Sequence, residues 1–326
     1  MTTPNAPAGA PLVTLDAIRA ARERIKSVAR VTPLIDVTSI AGRPLLLKCE
    51  NMQPGGAFKI RGAYNMVSQL APEVRARGVI TYSSGNHGQA VAIAAQALGA
   101  PAVVVMPTTA PAVKIDGARK FGAEIVFAGT TSLHRRAKAE EIAAARGLTM
   151  VPPFDHALII EGQGTLGLEI LEQCPGVATI LVPVGGGGIA SGVSTAVKAA
   201  QPSVTIVGVE PSGAAKMKTA IDAGEVRTLE RTDSMADGLI AVRAGDLTFA
   251  HVRAFVDRLV TVEEDEIAAA VRWLFREAKL VAEPSGAVTV AAALRANADY
   301  AAPVVAIISG GNLDASLLAR FLAEGR

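Results

Sequence analysis

Short, unbroken apolar runs alternate along the chain with alanine-rich stretches in which apolar positions recur at helical spacing. The runs fall at residues 45–48, 79–82, 102–106, 124–127, 179–184, 204–209 and 304–308. Most are continuous and do not alternate between apolar and polar. Strands buried on both faces read that way, so the pattern predicts parallel sheets covered by helices. Ahead of the first run, Thr14 suits a helix N-cap, and Ala17, Ile18, Ile25 and Val28 form an apolar stripe behind it. Further helices are predicted from Lys59 to Leu70, and over 89–98, 161–173 and 189–200. The first eleven residues, rich in Pro, Ala and Thr, predict a frayed terminus. A break near Pro152 and Pro153 ends one strand–helix series.

The 326 residues are long for one domain and suit two, at roughly 150 residues each. Half are hydrophobic and only 4% aromatic, so small aliphatic side chains must fill the core, which favours helices on a sheet over a β-sandwich. A net charge of +2 with both signs mixed argues against a nucleic-acid groove or an anionic membrane surface. Cys49 and Cys174 are isolated from each other, which excludes a cysteine framework and fits a reducing, cytoplasmic setting. Residues 1–11 lack the basic start and apolar core of a signal peptide. The longest apolar stretch, 91–106, is broken by Gln96, Gly99 and Pro101 and does not suit a membrane span. No G-x-S-x-G is present to support hydrolase chemistry.

Candidate chemistry lies in four glycine-marked loops, three of them directly after an apolar run, where open α/β sheets bind their ligands. Gly185, Gly186, Gly187 and Gly188 lead into a helix; consecutive glycines let backbone N–H groups converge, and four are costly for a plain turn, so a phosphate is expected there. Gly185, Gly187 and Ala190 also fit G-x-G-x-x-A, with Glu210 about twenty residues on, which keeps a nicotinamide-dependent dehydrogenase open. Ser83, Ser84, Gly85, Asn86 and His87 offer hydroxyls, an amide and a helix N-terminus to a carboxylate or a polar ring. Lys59 sits in a glycine-rich turn between Phe58 and Ile60, at a helix start, where its charge is disfavoured and a neutral amine can form a Schiff base. Ser309, in Ser309-Gly310-Gly311-Asn312, presents a hydroxyl to a ring nitrogen. One ligand with a phosphate, a carbonyl, a polar ring substituent and a ring nitrogen is pyridoxal 5'-phosphate.

The ordered set FKIRGA (58–63), SSGNHGQA (83–90), VPVGGGG (182–188) and ISGGN (308–312) resembles the fold-type-II pyridoxal-phosphate enzymes, specifically the serine/threonine dehydratases and serine racemases. Thr32-Pro33-Leu34 and EGQGTLGLEI (161–170) extend the likeness, which runs from about Thr14 to the end of the chain. The resemblance implies two α/β domains, each an open, mostly parallel twisted sheet flanked by helices: a discontinuous large domain, 1–79 with 154–326, and a small inserted one, 80–153. It implies cofactor contacts by Phe58, Lys59 as the Schiff-base lysine, Asn86 at the ring oxygen, Gly185 to Gly188 at the phosphate and Ser309 at the ring nitrogen. Ser83, Ser84, Gly85 and His87 would line the substrate carboxylate pocket, with Ser84 as acid/base on the face opposite Lys59.

The implied reaction is dehydration and deamination of a small β-hydroxy amino acid such as threonine or serine, with racemisation as the alternative. A homodimer or homotetramer is expected. Three departures matter. Gly55 and Ala57 stand where the family has hydroxyl side chains before the lysine, which alters the pocket. Glu210 and Ala214 match metal-site positions, but Lys216 replaces the second carboxylate, so the expectation is no metal and a Lys216–Glu210 ion pair. The chain ends soon after ISGGN, so feedback inhibition by isoleucine is not expected. A non-catalytic amino-acid-binding module is the remaining alternative; the presence of Lys59 argues against it.

Overall fold

The structure, a computed structural model, describes residues 11–83, 85–110 and 112–324. Its ten strands are β1 (Leu34–Asp36), β2 (Leu45–Cys49), β3 (Val79–Tyr82), β4 (Ala102–Met106), β5 (Glu124–Phe127), β6 (Thr149–Met150), β7 (Thr179–Pro183), β8 (Thr205–Pro211), β9 (Arg258–Val262) and β10 (Val304–Ile308). They form a six-stranded sheet of order β1-β2-β10-β7-β8-β9 and a four-stranded sheet of order β5-β4-β3-β6. Every pairing is parallel except β1 with β2. The α/β class with mostly parallel sheets is therefore what the apolar pattern predicted.

All seven apolar runs are strands. The three strands the pattern missed, β1, β6 and β9, are sheet edges. An edge strand is covered less completely, so it needs no continuous apolar run, and β9 begins exposed at Arg258. By contrast β4, β7 and β10 are buried at every position.

Thr14 caps the helix Leu15–Ile25, its hydroxyl accepting from the Ala17 N–H at 3.2 Å. Ile18, Ala21 and Ile25 are buried in the core, and Ala17 packs against it half-buried. The predicted 189–200 helix begins one residue early, at Gly188, and three others differ more. The lysine helix spans Ile60–Val67 and stops short of Leu70, since Pro72 lies just ahead. The helix Asn86–Ala97 begins three residues early, at the site loop itself. The helix Ala157–Gln173 begins four early, because 157–160 are apolar and His156 caps it through Leu158 N–H. The expectation for the first eleven residues falls almost wholly outside the described residues.

Parallel pairing aligns the carboxyl ends of β2, β10 and β7 on one edge of the large sheet. The loops leaving them are thus brought together.

Candidate active site

Lys59 is the residue just before the helix Ile60–Val67. Its loop is tied to the end of β10: Phe58 N–H donates to Ser309 O at 3.1 Å, Gly311 N–H donates to Gly56 O at 2.9 Å, and Ala57 bridges to Gly310. The Lys59 ammonium donates to Pro153 O at 2.8 Å and lies 5.0 Å from the Phe58 ring centre. Burial pulls its pKa down to about 8, as the apolar turn led one to expect.

The second loop joins through Asn312, which donates to Gly55 O at 2.8 Å and to Asn86 Oδ1 at 2.9 Å. Ser83 is buried and its hydroxyl accepts from Gly85 N–H at 3.0 Å. His87 is buried, with Nε2 3.0 Å from Val151 O. Burial, with the nearby Lys59 charge, pushes His87 down to about 3, so the imidazole is neutral. Its Nε2 must then carry the proton toward the carbonyl, which leaves Nδ1 a buried acceptor with no partner among the described residues. His87 therefore brings shape to the pocket and no positive charge. Ser84 lies outside the described residues.

The glycine loop follows β7. Gly187 has φ +102°, and the helix Gly188–Ala200 starts immediately after it. Among the described residues, the N–H groups of Gly185, Gly186 and Gly187 have no acceptor, while Gly186 O is held by Thr248 Oγ1 at 2.6 Å. A Cβ on Gly186 would collide with the Phe154 ring. Unpaired N–H groups at a helix N-terminus, in a cradle that a side chain would fill, suit a phosphate. Phe154 follows Pro153, the acceptor for Lys59, so the cradle and the lysine are neighbours. The cradle also reaches the fourth loop: Gly185 packs on Gly238, Gly238 N–H donates to Ser285 Oγ at 2.8 Å, and Ser309 Oγ donates to Ser285 O at 3.3 Å. The four loops predicted from sequence are one contiguous site, and their groups fit pyridoxal phosphate.

Glu210 does not serve a dinucleotide. It is buried, its oxygens accept from Met217 N–H at 2.9 Å and Lys218 N–H at 2.7 Å, and Lys216 pairs with it at 3.1 Å. The expected Lys216–Glu210 ion pair is present. Lys216 also donates to the carbonyls of Ala214 and Leu239 at 2.8 Å and of Val184 at 3.2 Å.

Sequence reasoning missed Glu283, Lys114 and Asp237. Glu283 is buried and accepts a hydrogen bond from Asn86 Nδ2; Lys114 is paired with Asp237. A glutamate inside an apolar stretch, just before the Pro284 that opens a helix, was the available signal for Glu283. Lys114 carried none.

The chain belongs to the family of pyridoxal-phosphate dependent enzymes, whose family model matches residues 25–310. With pyridoxal phosphate as its cofactor it is a lyase, an enzyme of β-elimination. It is 41% identical over 317 residues to the L-threonine ammonia-lyase of Thermotoga maritima, covering 96% of this chain and 79% of that protein. It is equally identical, over 313 residues, to a serine racemase of Oryza sativa subsp. indica, covering 93% of this chain and 92% of that one. The structure of maize serine racemase superposes with a TM-score of 0.91 at 37% identity, over 96% of this chain and 98% of that chain. The chain spans 60% and 61% of the length of two biosynthetic threonine dehydratases that it matches.

Proposed function

We propose that the enzyme dehydrates and deaminates a small β-hydroxy amino acid, threonine or serine, to a 2-oxo acid and ammonia. The reading is carried by Lys59, an amine of lowered basicity set beside a row of glycine N–H groups that no described backbone carbonyl accepts from. Bound pyridoxal phosphate supplies an electron sink for the electrons of the Cα–H bond. Gly185 to Gly188 would hold the phosphate, Asn86 would take the ring oxygen, Phe58 would wall the ring, and the Ser309 hydroxyl would serve the ring nitrogen. A hydroxyl there, unlike a carboxylate, would not enforce a protonated ring. Ser83, Gly85 and His87 line the carboxylate end. Lys59 takes the Cα proton, because near pH 8 half of it is already the free amine. The same amine, on the same face, returns a proton to the departing β-hydroxyl.

The name of the Thermotoga relative puts threonine first, and serine comes from the racemase relatives. Those racemases also favour a second reading, serine racemisation at the same site. Ser84 would deliver the proton from the opposite face, so Ser84→Ala should spare L-dehydration and abolish racemisation; an equal fall in both makes Ser84 a general binding residue. Two further parts belong to this proposal. The strands of the four-stranded sheet, all between Val79 and Met150, support an inserted small domain at 80–153 within a large one of 1–79 and 154–326. A cytoplasmic role in amino-acid catabolism belongs to the same reading, and two free cysteines suit a reducing compartment. A homodimer or homotetramer is expected in sedimentation.

The test is 2-oxo-acid release from serine, threonine, 3-hydroxyaspartate and phenylserine by a yellow purified protein, with Lys59→Ala inactive yet still binding cofactor through its phosphate. A colourless protein that cannot be loaded with pyridoxal phosphate overturns the proposal.

A further inference from the structure

Asn86 is held at both ends of its carboxamide. A backbone carbonyl can only accept, so the donation of Asn312 Nδ2 to Gly55 O fixes which way the Asn312 amide points. The same nitrogen donates to Asn86 at 2.9 Å, so Asn86 must present its oxygen there. Its Nδ2 then faces Glu283 Oε1, the acceptor on its other side. The chain of polarity runs from Gly55 to Glu283 without ambiguity. One N–H of Asn86 is used by Glu283 and one is left for a ligand.

Glu283 is itself pinned. It is 1% exposed, its own N–H donates to Gly310 O at 3.1 Å, and a Cβ on Gly310 would collide with its Oε1. Its Oε2 has no hydrogen-bond partner among the described residues; the nearest cation, Lys114 Nζ, is 3.9 Å away and paired with Asp237. Lys114 comes from the helix Ala112–Arg119, which follows β4 of the four-stranded sheet, whereas Asp237 and Glu283 lie in segments beside the six-stranded one. Its stem packs on Gly85, where a Cβ would collide with it. A buried carboxylate with one free oxygen is costly to keep, and burial raises its pKa to about 7 against the pull of Lys114. Its position against Asn86 gives a reason for it to be there.

We propose that Glu283 is a positioning residue that fixes the carboxamide of Asn86, so that the free N–H of Asn86 meets the cofactor's ring oxygen. The inference rests on the reading of this site as a pyridoxal-phosphate site. Lys114, reaching across from the other sheet, opposes the burial and the Asp237 charge that raise the Glu283 pKa, and Glu283 Oε1 accepts from Asn86.

The test measures the pyridoxal-phosphate dissociation constant, the visible absorbance maximum of the loaded protein, and kcat and KM. The variants are Glu283→Leu, Glu283→Asp and Glu283→Gln, each made also in an Asn86→Ala background. Glu283→Leu should weaken cofactor binding roughly 10- to 100-fold, shift the absorbance and lower kcat with KM little changed. In the Asn86→Ala background the same substitution should add nothing. Glu283→Gln keeps an acceptor oxygen and should stay within a few-fold of wild type. Should Glu283→Leu fail to fold, Glu283→Asp replaces it: the carboxylate survives but falls short of Asn86, and the same Asn86-dependent loss is expected. Equal losses in both backgrounds overturn the inference, as does Glu283→Gln proving as damaging as Glu283→Leu. Either result, with a wild-type protein that loads and turns over, leaves the functional proposal standing. A wild type that never takes up pyridoxal phosphate brings down that proposal, and this inference with it.

Discussion

Lys216 offers a direct test of whether a tethered ammonium does the work of a bound cation. It is fully buried, its three donors match three carbonyls, and the Glu210 carboxylate lies beside it. Burial pulls its pKa down and Glu210 opposes that pull. Val184 precedes the glycine cradle and Leu239 follows the Gly238 that packs on it, so the ammonium joins two segments of the phosphate site. Lys216→Met keeps most of the stem and deletes the charge. Removing one partner of a buried pair costs about 3–5 kcal/mol. Three carbonyls that lose a donor add to this, while Glu210 retains its two backbone N–H bonds. A net loss of about 4 kcal/mol is expected, a large share of the roughly 5–15 kcal/mol that holds an ordinary protein folded. With a urea slope of about 3 kcal/mol/M the unfolding midpoint should fall by roughly 1.3 M at unchanged slope. Cofactor affinity should fall as well, and Lys216→Ala should regain part of both on adding magnesium, calcium or potassium, whose oxygen ligands stand ready. Wild-type activity should not respond to chelator. A midpoint within 0.3 M of wild type (about 1 kcal/mol at that slope), or a strong chelator effect reversed by magnesium or calcium, would refute the reasoning.

Three other outcomes are expected. Gly186→Ala drives a methyl into the Phe154 ring and should weaken cofactor binding at least about 100-fold, measured by fluorescence titration, with little change in the far-ultraviolet spectrum. Arg61 is buried and bridges Glu50 and Glu169 at 2.7 Å, two residues after Lys59; Arg61→Lys cannot span both carboxylates and should cost about 3 kcal/mol in urea unfolding and lower kcat more than it raises KM. The rate at which apo-protein takes up pyridoxal phosphate should rise with pH through a midpoint of about 8, since Lys59 reacts only as the free amine; a midpoint near the ordinary lysine value of 10.5 would show that burial does not act on it. The linkage has a definite sign: the folded state gives up this proton more readily than the unfolded one, so Lys59 penalises the fold below about 8 and the penalty is relieved as pH rises from there toward 10.5.

What the sequence determined by itself was whatever local patterning encodes. Seven apolar runs became strands because a strand covered on both faces must be apolar throughout, and the four glycine loops were legible because glycine and helix starts carry their meaning locally. Lys59, Asn86, the glycine cradle and Ser309 were named on that basis, and the structure joins their loops. Tertiary structure alone decided the rest. β1, β6 and β9 form by pairing at a sheet edge, which leaves little trace in hydrophobicity. The use of Glu210 by Lys216 and two backbone N–H groups, and so its loss to a dinucleotide, depends on side-chain reach. Glu283, Lys114 and Asp237 are 46 or more residues apart and meet only when the helix Ala112–Arg119, beside one sheet, packs against segments beside the other. Charge complementarity between distant segments has no period and no motif, so a sequence read locally cannot display it.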